Sequence, residues 1–543
     1  MQKTTEWWRG AVVYQVYLRS FADSNGDGVG DLKGLESKLP YIADLGVDAI
    51  WISPFFTSPM MDFGYDVADY NAVDPLFGTL EDFDRVVEGA HRLGLKIILD
   101  QVWSHTSDQH AWFNASRRKR DGAEADWYVW ADPKPDGSPP NNWLSVFGGC
   151  AWAWEPRRRQ YYLHHFLASQ PKLNLRHPAV VGALFESANF WLRRGVDGFR
   201  FDAVDFMLHD PALRDNPPAL TQDGQAPLRP FRMQRHIHDM MHPETAHWVS
   251  RIRSFMDCYD DRLTLGEISS EAGAFNRIEA LTGEKGTRFN MAYTLGVMKG
   301  EFSAAILKQI VDNAMAAEQE GWFCWSFSNH DVARVATRWH PSPDGTPAFA
   351  KLALALLFFL RGSVSLYQGE ELGLAEAEID LADMRDPYGI TYYPEFRGRD
   401  GSRTPMPWRH DRPNGCFTTA RPWLPMPEAH RCHAVDLQEA DPHSCLAATR
   451  ALLRWRRGNR ALRCGELELL PSAGPLVMLR RLDSEHGREA FAAFNLGNTS
   501  IRLDSLPIAD LTPVEVAGFE RIEGGSGIEL PPFGACFAES PAR

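Results

Sequence analysis

The sequence predicts an α/β protein whose eight parallel strands close into a (β/α)8 TIM barrel, and three observations lead to this prediction. Apolar strands alternate with helical segments along most of the chain, which requires crossover connections and a parallel sheet. Four of the predicted strands end in an acidic residue, so these acids would meet on one rim of the barrel. At 543 residues the chain is also long enough for such a barrel with insertions.

The first three strands and two helices follow one another without interruption. They are predicted as strands at Val12–Tyr17, Val47–Pro54 and Lys96–Val102 and as helices at Leu32–Leu45 and Leu80–Leu93. The strand segments are rich in β-branched residues, and the helical segments repeat apolar residues with a period near 3.6. Residues 1–104 are therefore predicted to form the first part of the barrel.

An inserted domain is predicted at residues 105–175, where the alternation stops. From Ser107 onward the chain is rich in Trp, Pro and Gly and contains short alternating pieces such as Gln160–Phe166. A loop of this length without structure of its own would be improbable in a compact protein. We therefore expect a separate, irregular domain after the third strand.

The barrel resumes at residues 176–467, and a small antiparallel β-domain follows at residues 468–543. The remaining strands are predicted at Gly198–Phe206, Leu263–Ser269, Arg288–Tyr293, Cys324–Ser328 and Val364–Tyr367. The remaining helices are predicted at Val180–Arg194, Trp248–Met256, Ala348–Leu360 and Leu446–Arg457. A polar, Pro-rich excursion at Met207–Pro243 and a top-face insertion at about 374–430 interrupt them. Period-two alternation in Ala490–Asn495 and Ile528–Phe537 indicates the C-terminal sheet.

The composition argues against several classes of partner. Apolar residues make up 44% of the chain and charged residues 24%, so we expect a large core and no global disorder. A net charge of −14 argues against a nucleic acid or an anionic membrane as the partner. A neutral, polar substrate is compatible with it. Some of the 18 Trp and 31 Phe residues could be sugar platforms, although core packing is their more common role.

The cysteines and the hydropathy pattern predict a cytoplasmic enzyme with reduced thiols. The eight cysteines show neither CxxC spacing nor a compact disulfide framework. The segment Met1–Trp8 lacks the apolar core of a signal peptide, and Leu352–Leu360 is too short to span a bilayer. No membrane association is expected, and both a monomer and a homodimer remain open.

Acidic residues at the strand ends are the strongest functional signal. They lie in Ile98–His105, Gly198–Phe206, Leu265–Glu267 and Ser328–Asp331, at the ends of the third, fourth, fifth and seventh predicted strands. Arg200 and Asp202 are two residues apart and share one face of the fourth strand. They could form a structural ion pair, because a buried charge needs a partner. Four converging acids favour a catalytic site instead, since paired carboxyl groups cleave glycosidic bonds.

Four motifs make the chain resemble glycoside hydrolase family 13. They are DQVWSH (100–105), GFRFDAVD (198–205), LGE (265–267) and SNHD (328–331), and the stretches Val13–Tyr17, Phe63–Asp66, Tyr367–Glu371 and Arg403–Met406 agree with them. The resemblance covers almost all of residues 6–540. Within the family the chain is most similar to the bacterial α-glucosidases and oligo-1,6-glucosidases. This resemblance implies cleavage of α-glucosides with retention of configuration.

The resemblance also implies catalytic roles. Asp202 would be the nucleophile and Glu267 the general acid/base, while Asp331 would bind sugar hydroxyls and favour the distorted ring of the transition state. Arg200 would keep Asp202 ionised, as expected of a neighbouring cation. Asp100 is expected to orient its neighbours rather than touch the substrate.

The same resemblance implies a pocket for the terminal glucose. Its lining residues would be Asp62, Tyr65, His105, Phe147, His330 and Arg399, with Arg403 as a competing choice for the arginine that clamps the sugar. A histidine that is simply hydrogen bonded within the core is the general alternative for His105 and His330.

Two positions depart from the family pattern, and a third bears on linkage. Ser104 stands where the family often has Asn, and Lys172 reverses the charge of an acid in the segment that resembles QPDLN. That reversal makes the segment an unsafe guide to linkage. Ala203 follows the nucleophile at a place where Val accompanies α-1,6 cleavage and smaller residues accompany α-1,4 cleavage in the resembling group. It implies a preference for α-1,4 links.

A separate signal in Asp23–Asp31 points to a structural metal ion. Asp23, Asn25, Asp27 and Asp31 place oxygen ligands at alternate positions on a Gly-punctuated loop, as Ca2+ or Mg2+ requires. The twelfth position is Gly34 rather than Glu, so the loop is not an EF-hand, and a polar turn is the alternative. The loop resembles the calcium loop of the oligo-1,6-glucosidases, which implies that the Val29 carbonyl is also a ligand. No organic cofactor is expected.

Together these observations predict a retaining exo-α-glucosidase acting on short α-glucosides, with glucosyl transfer to hydroxyl acceptors. An α-glucosyltransferase or sucrose-processing enzyme with the same catalytic residues is the main alternative. An endo-acting amylase is another. The catalytically silent barrel domains of transporter-associated proteins differ, because they carry a membrane helix and lack the acids.

Overall fold

The computed structural model describes residues 6–219, 229–270, 273–317, 320–340, 346–504, 508, 511–519 and 527–540. The middle of the excursion at Met207–Pro243, the first residues of Met1–Trp8 and parts of the predicted C-terminal domain lie outside these ranges. All eight cysteines lie inside them, and no disulfide joins any two of these cysteines. Within the described ranges, no helix combines the length and the apolar character needed to cross a bilayer.

Eight parallel strands form one sheet that closes into the predicted barrel. They are β1 (Val12–Val16), β2 (Ala49–Ile52), β3 (Lys96–Gln101), β4 (Gly198–Phe201), β5 (Leu263–Ile268), β6 (Met291–Thr294), β7 (Cys324–Ser326) and β8 (Ser363–Tyr367). The strands β1 to β6 lie side by side in chain order. On the other side of β1 lies β8, and β7 pairs with β8. A parallel bridge between Ala292 in β6 and Phe323, just before β7, completes the circle.

Eight helices follow the eight strands around the barrel. They are α1 (Leu32–Leu45), α2 (Leu80–Arg92), α3 (Pro178–Leu192), α4 (Thr245–Met256), α5 (Ala274–Thr282), α6 (Ala304–Ala317), α7 (Pro347–Phe359) and α8 (Cys445–Gly458). Local sequence fixes several ends: Thr79 and Asp82 form a capping box at the start of α2. Gly46 ends α1 with φ of 90°, a conformation that favours glycine.

Short helices and 3-10 turns lie in the connections between the strands and helices. The short helices are Ala111–Ser116, Leu295–Lys299, Val335–Arg338, Pro387–Tyr392, Glu428–Arg431, Val435–Ala440 and Arg460–Cys464. The single 3-10 turns are Leu18–Ser20, Val204–Phe206, Pro230–Met233, Asp400–Ser402 and Pro413–Cys416. A hairpin of Phe56–Thr57 and Asp69–Val73 carries the loop that holds Asp62 and Tyr65.

The sixth strand starts later than predicted, because a side chain takes the place of backbone pairing at its start. The sixth strand was predicted at Arg288–Tyr293 but begins at Met291. The side-chain oxygen of Asn290 accepts hydrogen bonds from the N–H and the hydroxyl of Thr264, at 2.7 and 2.8 Å. Because this side chain occupies the donor that a ladder would use, regular pairing starts only after it.

The insertion after β3 and the C-terminal region each contain an antiparallel sheet. The insertion holds three strands, Trp130–Ala131, Trp152–Glu155 and Gln160–Leu163. The C-terminal region holds Glu466–Leu470, Leu476–Asp483, Arg488–Asn495, Thr512–Val514 and Ala535–Glu539 in one sheet and Ile501–Leu503 with Ile528–Leu530 in another. Buried Arg481 in this region donates hydrogen bonds to the carbonyls of Phe359 and Leu360 at the end of α7, which fixes the sheet against the barrel.

Candidate active site

Arg200 on β4 brings three strand-end acids together. Its guanidinium is fully buried, and Nη1 lies 2.7 Å from Asp100 Oδ1 and 2.8 Å from Asp202 Oδ1. Its Nη2 lies 2.7 Å from Glu267 Oε2. Because β3, β4 and β5 are neighbours, residues near their carboxyl ends converge as the strand-end pattern predicted. Asp100 also accepts hydrogen bonds from Trp51 and Tyr65.

Tyr293, at the end of β6, is a site residue that the sequence reasoning missed. Its hydroxyl accepts a hydrogen bond of 2.8 Å from Arg200 Nη2 and donates one of 3.2 Å to Glu267 Oε1. The signal that could have identified Tyr293 from the sequence is its place at the carboxyl end of a predicted barrel strand. Tyr293 therefore helps to orient both Arg200 and Glu267.

Three carboxyl groups around one guanidinium leave a negative charge excess. Burial, together with the neighbouring acids Glu267 and Asp100, raises the pKa of Asp202, and Arg200 opposes the shift. Burial likewise raises the pKa of Asp100 to about 6. Asp202 and Asp100 therefore retain a proton more readily than isolated acids would.

Arg399, from the insertion above β8, closes the opposite side of the pocket. Its guanidinium lies 2.8 Å from Asp62, 3.1 Å from Asp331 and 2.7 Å from Asp386. Arg403 lies 2.9 Å from the same Asp331 oxygen and donates to the His330 carbonyl. Both arginines thus contact Asp331, although the family resemblance had made them alternatives for a single sugar-binding role.

Asp331 and Asp62, two of the carboxyl groups beside these arginines, have pKa values that are shifted in opposite directions. Although burial alone would raise it, the charges of Arg399 and Arg403 hold the pKa of Asp331 well below its usual range. The pKa of Asp62 is raised by burial, and Arg399 opposes the shift. Asp386, which the sequence reasoning did not single out, is buried and accepts the backbone N–H of Arg399 as well as its side chain.

His330 points one ring nitrogen into the pocket. Its Nδ1 lies 2.8 Å from the amide nitrogen of Gln15, while Nε2 lies 3.5 Å from Asp331 and has no hydrogen-bond partner among the described residues. Burial lowers the pKa of His330 to about 3, so the ring is neutral. The ring stacks on Tyr65 at 5.2 Å with an interplanar angle of 7°. The two rings form one wall of the pocket.

His105 is held more completely by the protein. Its Nδ1 lies 2.7 Å from the Ser104 hydroxyl and its Nε2 lies 2.9 Å from the Tyr65 carbonyl. Burial lowers the pKa of His105 to about 4. Ser104 therefore braces the top of β3 through the imidazole, which gives this departure from the family pattern a physical role.

Phe147 and Ala203 are both buried beside the charged groups of the site. The Arg399 guanidinium stacks over the Phe147 ring at 5.1 Å, and Tyr388 stacks on the same ring at 4.9 Å. Ala203 has left-handed backbone angles, φ 45° and ψ 49°, and its N–H donates a hydrogen bond of 2.9 Å to Glu267. The residue after Asp202 is therefore strained and directly attached to the acid on β5.

The family model of the α-amylase catalytic domain matches residues 15–465, which is most of the chain. The chain belongs to the α-amylase family. It is therefore a glycoside hydrolase with the family barrel and a C-terminal antiparallel domain, as its sequence motifs predicted.

Relatives of this α-amylase family member match along nearly its whole length. A probable α-glucosidase of Rhizobium meliloti (strain 1021) is 49% identical over 545 residues, covering 99% of this chain and 98% of the relative. The oligo-1,6-glucosidase of Heyndrickxia coagulans is 35% identical, covering 92% of this chain and 94% of the relative. Among solved structures, the α-glucosyl transfer enzyme XgtA has a TM-score of 0.94 and 50% identity, and the match covers 99% of this chain and all of that chain.

Lys172, the charge reversal in this α-amylase family member, supports the turn after Asp202. The side chain is buried, and its ammonium donates to the carbonyls of Phe206 and Met207. Burial, and then the charge of Arg176, lowers the pKa of Lys172 to about 7. The lysine therefore holds backbone rather than pairing with an acid in the pocket.

The loop Asp23–Asp31 of this α-amylase family member offers an all-oxygen donor set. Asp23 accepts the N–H groups of residues 25, 26 and 28, and Asp27 accepts the N–H of Val29. Asp31 accepts the N–H of Gly34 and caps α1. Carboxylate and amide oxygens are the ligands that a hard cation such as Ca2+ or Mg2+ prefers, although the carboxylate oxygens of Asp23, Asp27 and Asp31 do not all lie within 4.8 Å of one another.

Proposed function

We propose that this glycoside hydrolase is a retaining exo-α-glucosidase that releases glucose from the non-reducing end of short α-glucosides, with α-1,4 links preferred. The observation that carries the proposal is the Arg200 guanidinium, which contacts both Asp202 and Glu267. Two carboxyl groups bound to one cation suit the close pair of a retaining enzyme. An inverting pair stands farther apart, to leave room for a water molecule.

Asp202 and Glu267 divide the reaction between them. An Asp202 oxygen attacks the anomeric carbon while the bond to the leaving oxygen breaks and Glu267 gives that oxygen its proton. The Glu267 carboxylate then takes a proton from water as the water oxygen displaces Asp202. Arg200 favours the ionised form of Asp202.

The charge of the pocket favours the transition state. The buried ionisable groups comprise the acids Asp62, Asp100, Asp202, Glu267, Asp331 and Asp386 and the guanidinium groups of Arg200, Arg399 and Arg403. Acids outnumber arginines, so the site stabilises positive charge at the anomeric carbon more than it stabilises a neutral sugar.

The terminal glucose is recognised by groups on the other wall. His330 Nε2 and Arg399 are donors beside Asp331, and Asp331 and Asp62 are acceptors for sugar hydroxyls. The Tyr65 ring, backed by the stacked His330 ring, gives an apolar face for the sugar ring. His105 and Phe147 complete the lining.

Glucosyl transfer is the second part of the proposal. A hydroxyl acceptor that takes the place of water in the second step gives a new glucoside. The relative named as an α-glucosyl transfer enzyme, with 50% identity, favours this outcome. An α-glucosyltransferase or a sucrose-processing enzyme with the same acids is the alternative function.

We also infer a structural Ca2+ or Mg2+ ion in the loop Asp23–Asp31. Asp23, Asn25, Asp27 and Asp31 would hold it together with the Val29 carbonyl. A bound ion would tie the loop after β1 to the start of α1, since Asp31 is the N-cap of that helix. Its contribution would be to stability rather than to chemistry.

Product analysis on maltose, isomaltose, sucrose and soluble starch tests the proposal. We expect glucose release from maltose above isomaltose, slow attack on starch, and α-glucose as the first anomer detected by NMR. A first product with β configuration would contradict retention. Products longer than glucose from starch would indicate an endo-acting amylase, and dominant transfer from sucrose would favour the alternative function.

A further inference from the structure

The strands that carry Asp202 and Glu267 separate immediately above their last shared rung. Phe201 and Gly266 form the final pair in the β4–β5 ladder. Ala203 then turns the chain into the 3-10 turn Val204–Phe206, while β5 continues to Ile268. Backbone pairing therefore does not fix the spacing between the two acids at the point where they act.

Asp205 spans this gap. The residue is fully buried in the 3-10 turn, three positions after Asp202. Its Oδ2 accepts the backbone N–H groups of Ser269 and Ser270, at 3.1 and 3.0 Å. These serines come directly after β5, two and three positions beyond Glu267. One carboxylate oxygen thus replaces the ladder between the two strand ends.

A second contact fixes the Asp205 carboxylate in this orientation. Its Oδ1 accepts a hydrogen bond of 2.9 Å from Arg277 Nε on α5. The backbone of Asp205 is also tied down, because its carbonyl accepts the N–H of Met241 at 2.7 Å. The carboxylate therefore meets three N–H donors and serves as an acceptor for each of them.

We propose that Asp205 is a positioning residue that sets the spacing and orientation of Glu267 relative to Asp202. The inference rests on the proposed roles of these two acids. Arg200 contacts both acids, and Tyr293 and the β5–β6 ladder also hold Glu267, while the Asp205 carboxylate ties the turn after Asp202 to the backbone that follows Glu267. Loss of the carboxylate would therefore free the end of β5 to move relative to the turn after Asp202, and the Glu267 side chain would move with it.

An amide cannot replace this carboxylate. In Asp205→Asn one oxygen becomes an NH2 group, which would face either the serine N–H groups or the Arg277 donor. A donor facing a donor in a buried site is repelled, so at least one of the ties is lost. The fold around the turn keeps its shape and volume, since the two side chains have nearly the same size.

The test compares two substrates that differ in their need for an acid. Maltose needs its leaving oxygen protonated, whereas α-glucosyl fluoride has a leaving group that departs with little help. We expect Asp205→Asn to lower kcat/KM for maltose about 10- to 100-fold more than kcat/KM for the fluoride, the scale of a displaced catalytic group. Glu267→Gln, measured in the same way, should show the same selective loss in larger measure.

Asp197→Asn is the matched control. Asp197 is also buried and lies at the opposite end of the same strand, where it accepts hydrogen bonds from Ile97 N–H, Lys96 and His91. This variant should lower the melting temperature without distinguishing the two substrates. A selective loss of the same size in Asp197→Asn would assign the effect to general destabilisation and overturn the inference.

The outcomes separate this inference from the proposed function. If Glu267→Gln does not discriminate between the substrates, the proposed role of Glu267 is wrong. If Glu267→Gln discriminates and Asp205→Asn lowers both rates equally, the positioning role is wrong. Arg277→Gln keeps the carboxylate and removes its orienting partner, so it replaces Asp205→Asn if that variant does not fold. It should give a smaller loss with the same selectivity, and an equal loss on both substrates would again overturn the inference.

Discussion

Gln15 lies 2.8 Å from Nδ1 of His330 and holds the imidazole with its other nitrogen facing the pocket. The amide N–H can only donate, so Nδ1 accepts and the ring proton sits on Nε2. The nearby Asp331 carboxylate, 3.5 Å from Nε2, favours the same tautomer. His330 is therefore prepared to donate a hydrogen bond to a sugar hydroxyl.

Gln15→Leu should weaken sugar binding by releasing this tautomer. We expect the inhibition constant for glucose to rise about tenfold, the effect of one hydrogen bond in a buried site. Gln438→Leu is the control, because Gln438 is also buried but donates to the Leu372 and His433 carbonyls. An unchanged inhibition constant in a folded Gln15→Leu protein would contradict the donor role of His330.

Asp202→Ala should abolish hydrolysis and allow a chemical rescue. We expect kcat for maltose to fall by at least about 10⁴-fold, since the covalent step is lost. With α-glucosyl fluoride and azide, the vacant position would admit azide from the nucleophile side and give β-glucosyl azide, detected by NMR. Formation of α-glucosyl azide, or full activity in Asp202→Asn, would remove Asp202 from the nucleophile role.

Chelation should lower stability more than activity. A ligand that binds the native state stabilises it by about 2.7 kcal/mol at 100 times its dissociation constant, so EDTA should lower the Tm. Asp27→Asn should have a lower Tm and lose its response to EDTA. Asp411→Asn, in the exposed group His410, Asp411 and Asp436, should keep that response. A wild-type Tm that is indifferent to both EDTA and added Ca2+ would contradict the metal site.

Lys172 should make stability depend on pH. Its pKa is lowered to about 7 in the folded protein, below the ordinary lysine value, so the unfolded chain binds more protons above pH 7. Stability therefore rises as the pH increases from 7 to about 10, and the same gain is lost as the pH falls through that range to 7. Between pH 7 and 10 the slope would be at most about 1.4 kcal/mol per pH unit.

Lys172→Met should remove this slope from the unfolding free energy, measured by urea denaturation at several pH values. It should also cost about 1–3 kcal/mol at high pH, because the Phe206 and Met207 carbonyls lose their donor. Lys33→Met, at a largely exposed lysine, should leave the slope unchanged. Equal slopes in wild type and Lys172→Met would contradict the assignment.

Ala203→Val should shift linkage preference toward isomaltose. A difference of two carbons in a pocket is worth about 1–3 kcal/mol, so the ratio of kcat/KM for maltose and isomaltose should fall several-fold or more. The left-handed backbone at φ 45° adds a strain of about 1–2 kcal/mol for a β-branched residue, which should lower the Tm. Ala203→Gly is the control, because glycine accepts this φ and adds no bulk. A ratio that is unaffected by Val would show that Ala203 does not select the linkage.

The barrel and the strand-end acids could be predicted from sequence because both follow from local pattern. Alternating strands and helices define a parallel sheet, and the carboxyl ends of its strands must meet on one rim. Asp100, Arg200, Asp202 and Glu267 meet there for this reason. Family resemblance added the loop residues Asp62 and Arg399, which strand periodicity does not reveal.

Contacts between loops could not be predicted in this way. Asp386 accepts hydrogen bonds from Arg399 because the irregular insertion that contains both residues folds back on itself. No periodic pattern in the sequence predicts this contact. The burial of Lys172 and the left-handed turn at Ala203 depend equally on how the insertion after β3 packs against β4. The charge reversal at Lys172 is visible in the sequence, whereas its partners, which are backbone carbonyls, are visible only in the structure.

The contact between Asp62 and Arg399 joins residues 337 positions apart in the chain, and β1 has its second neighbour in β8. On a ribosome the amino-terminal strand therefore emerges long before the segments that complete both the barrel wall and the sugar pocket. Early intermediates must keep an open sheet edge and several unpaired pocket acids in water while synthesis continues. A chain that ends before β8 would therefore leave one edge of β1 unpaired, and a chain that ends before Arg399 would lack part of the proposed glucose site.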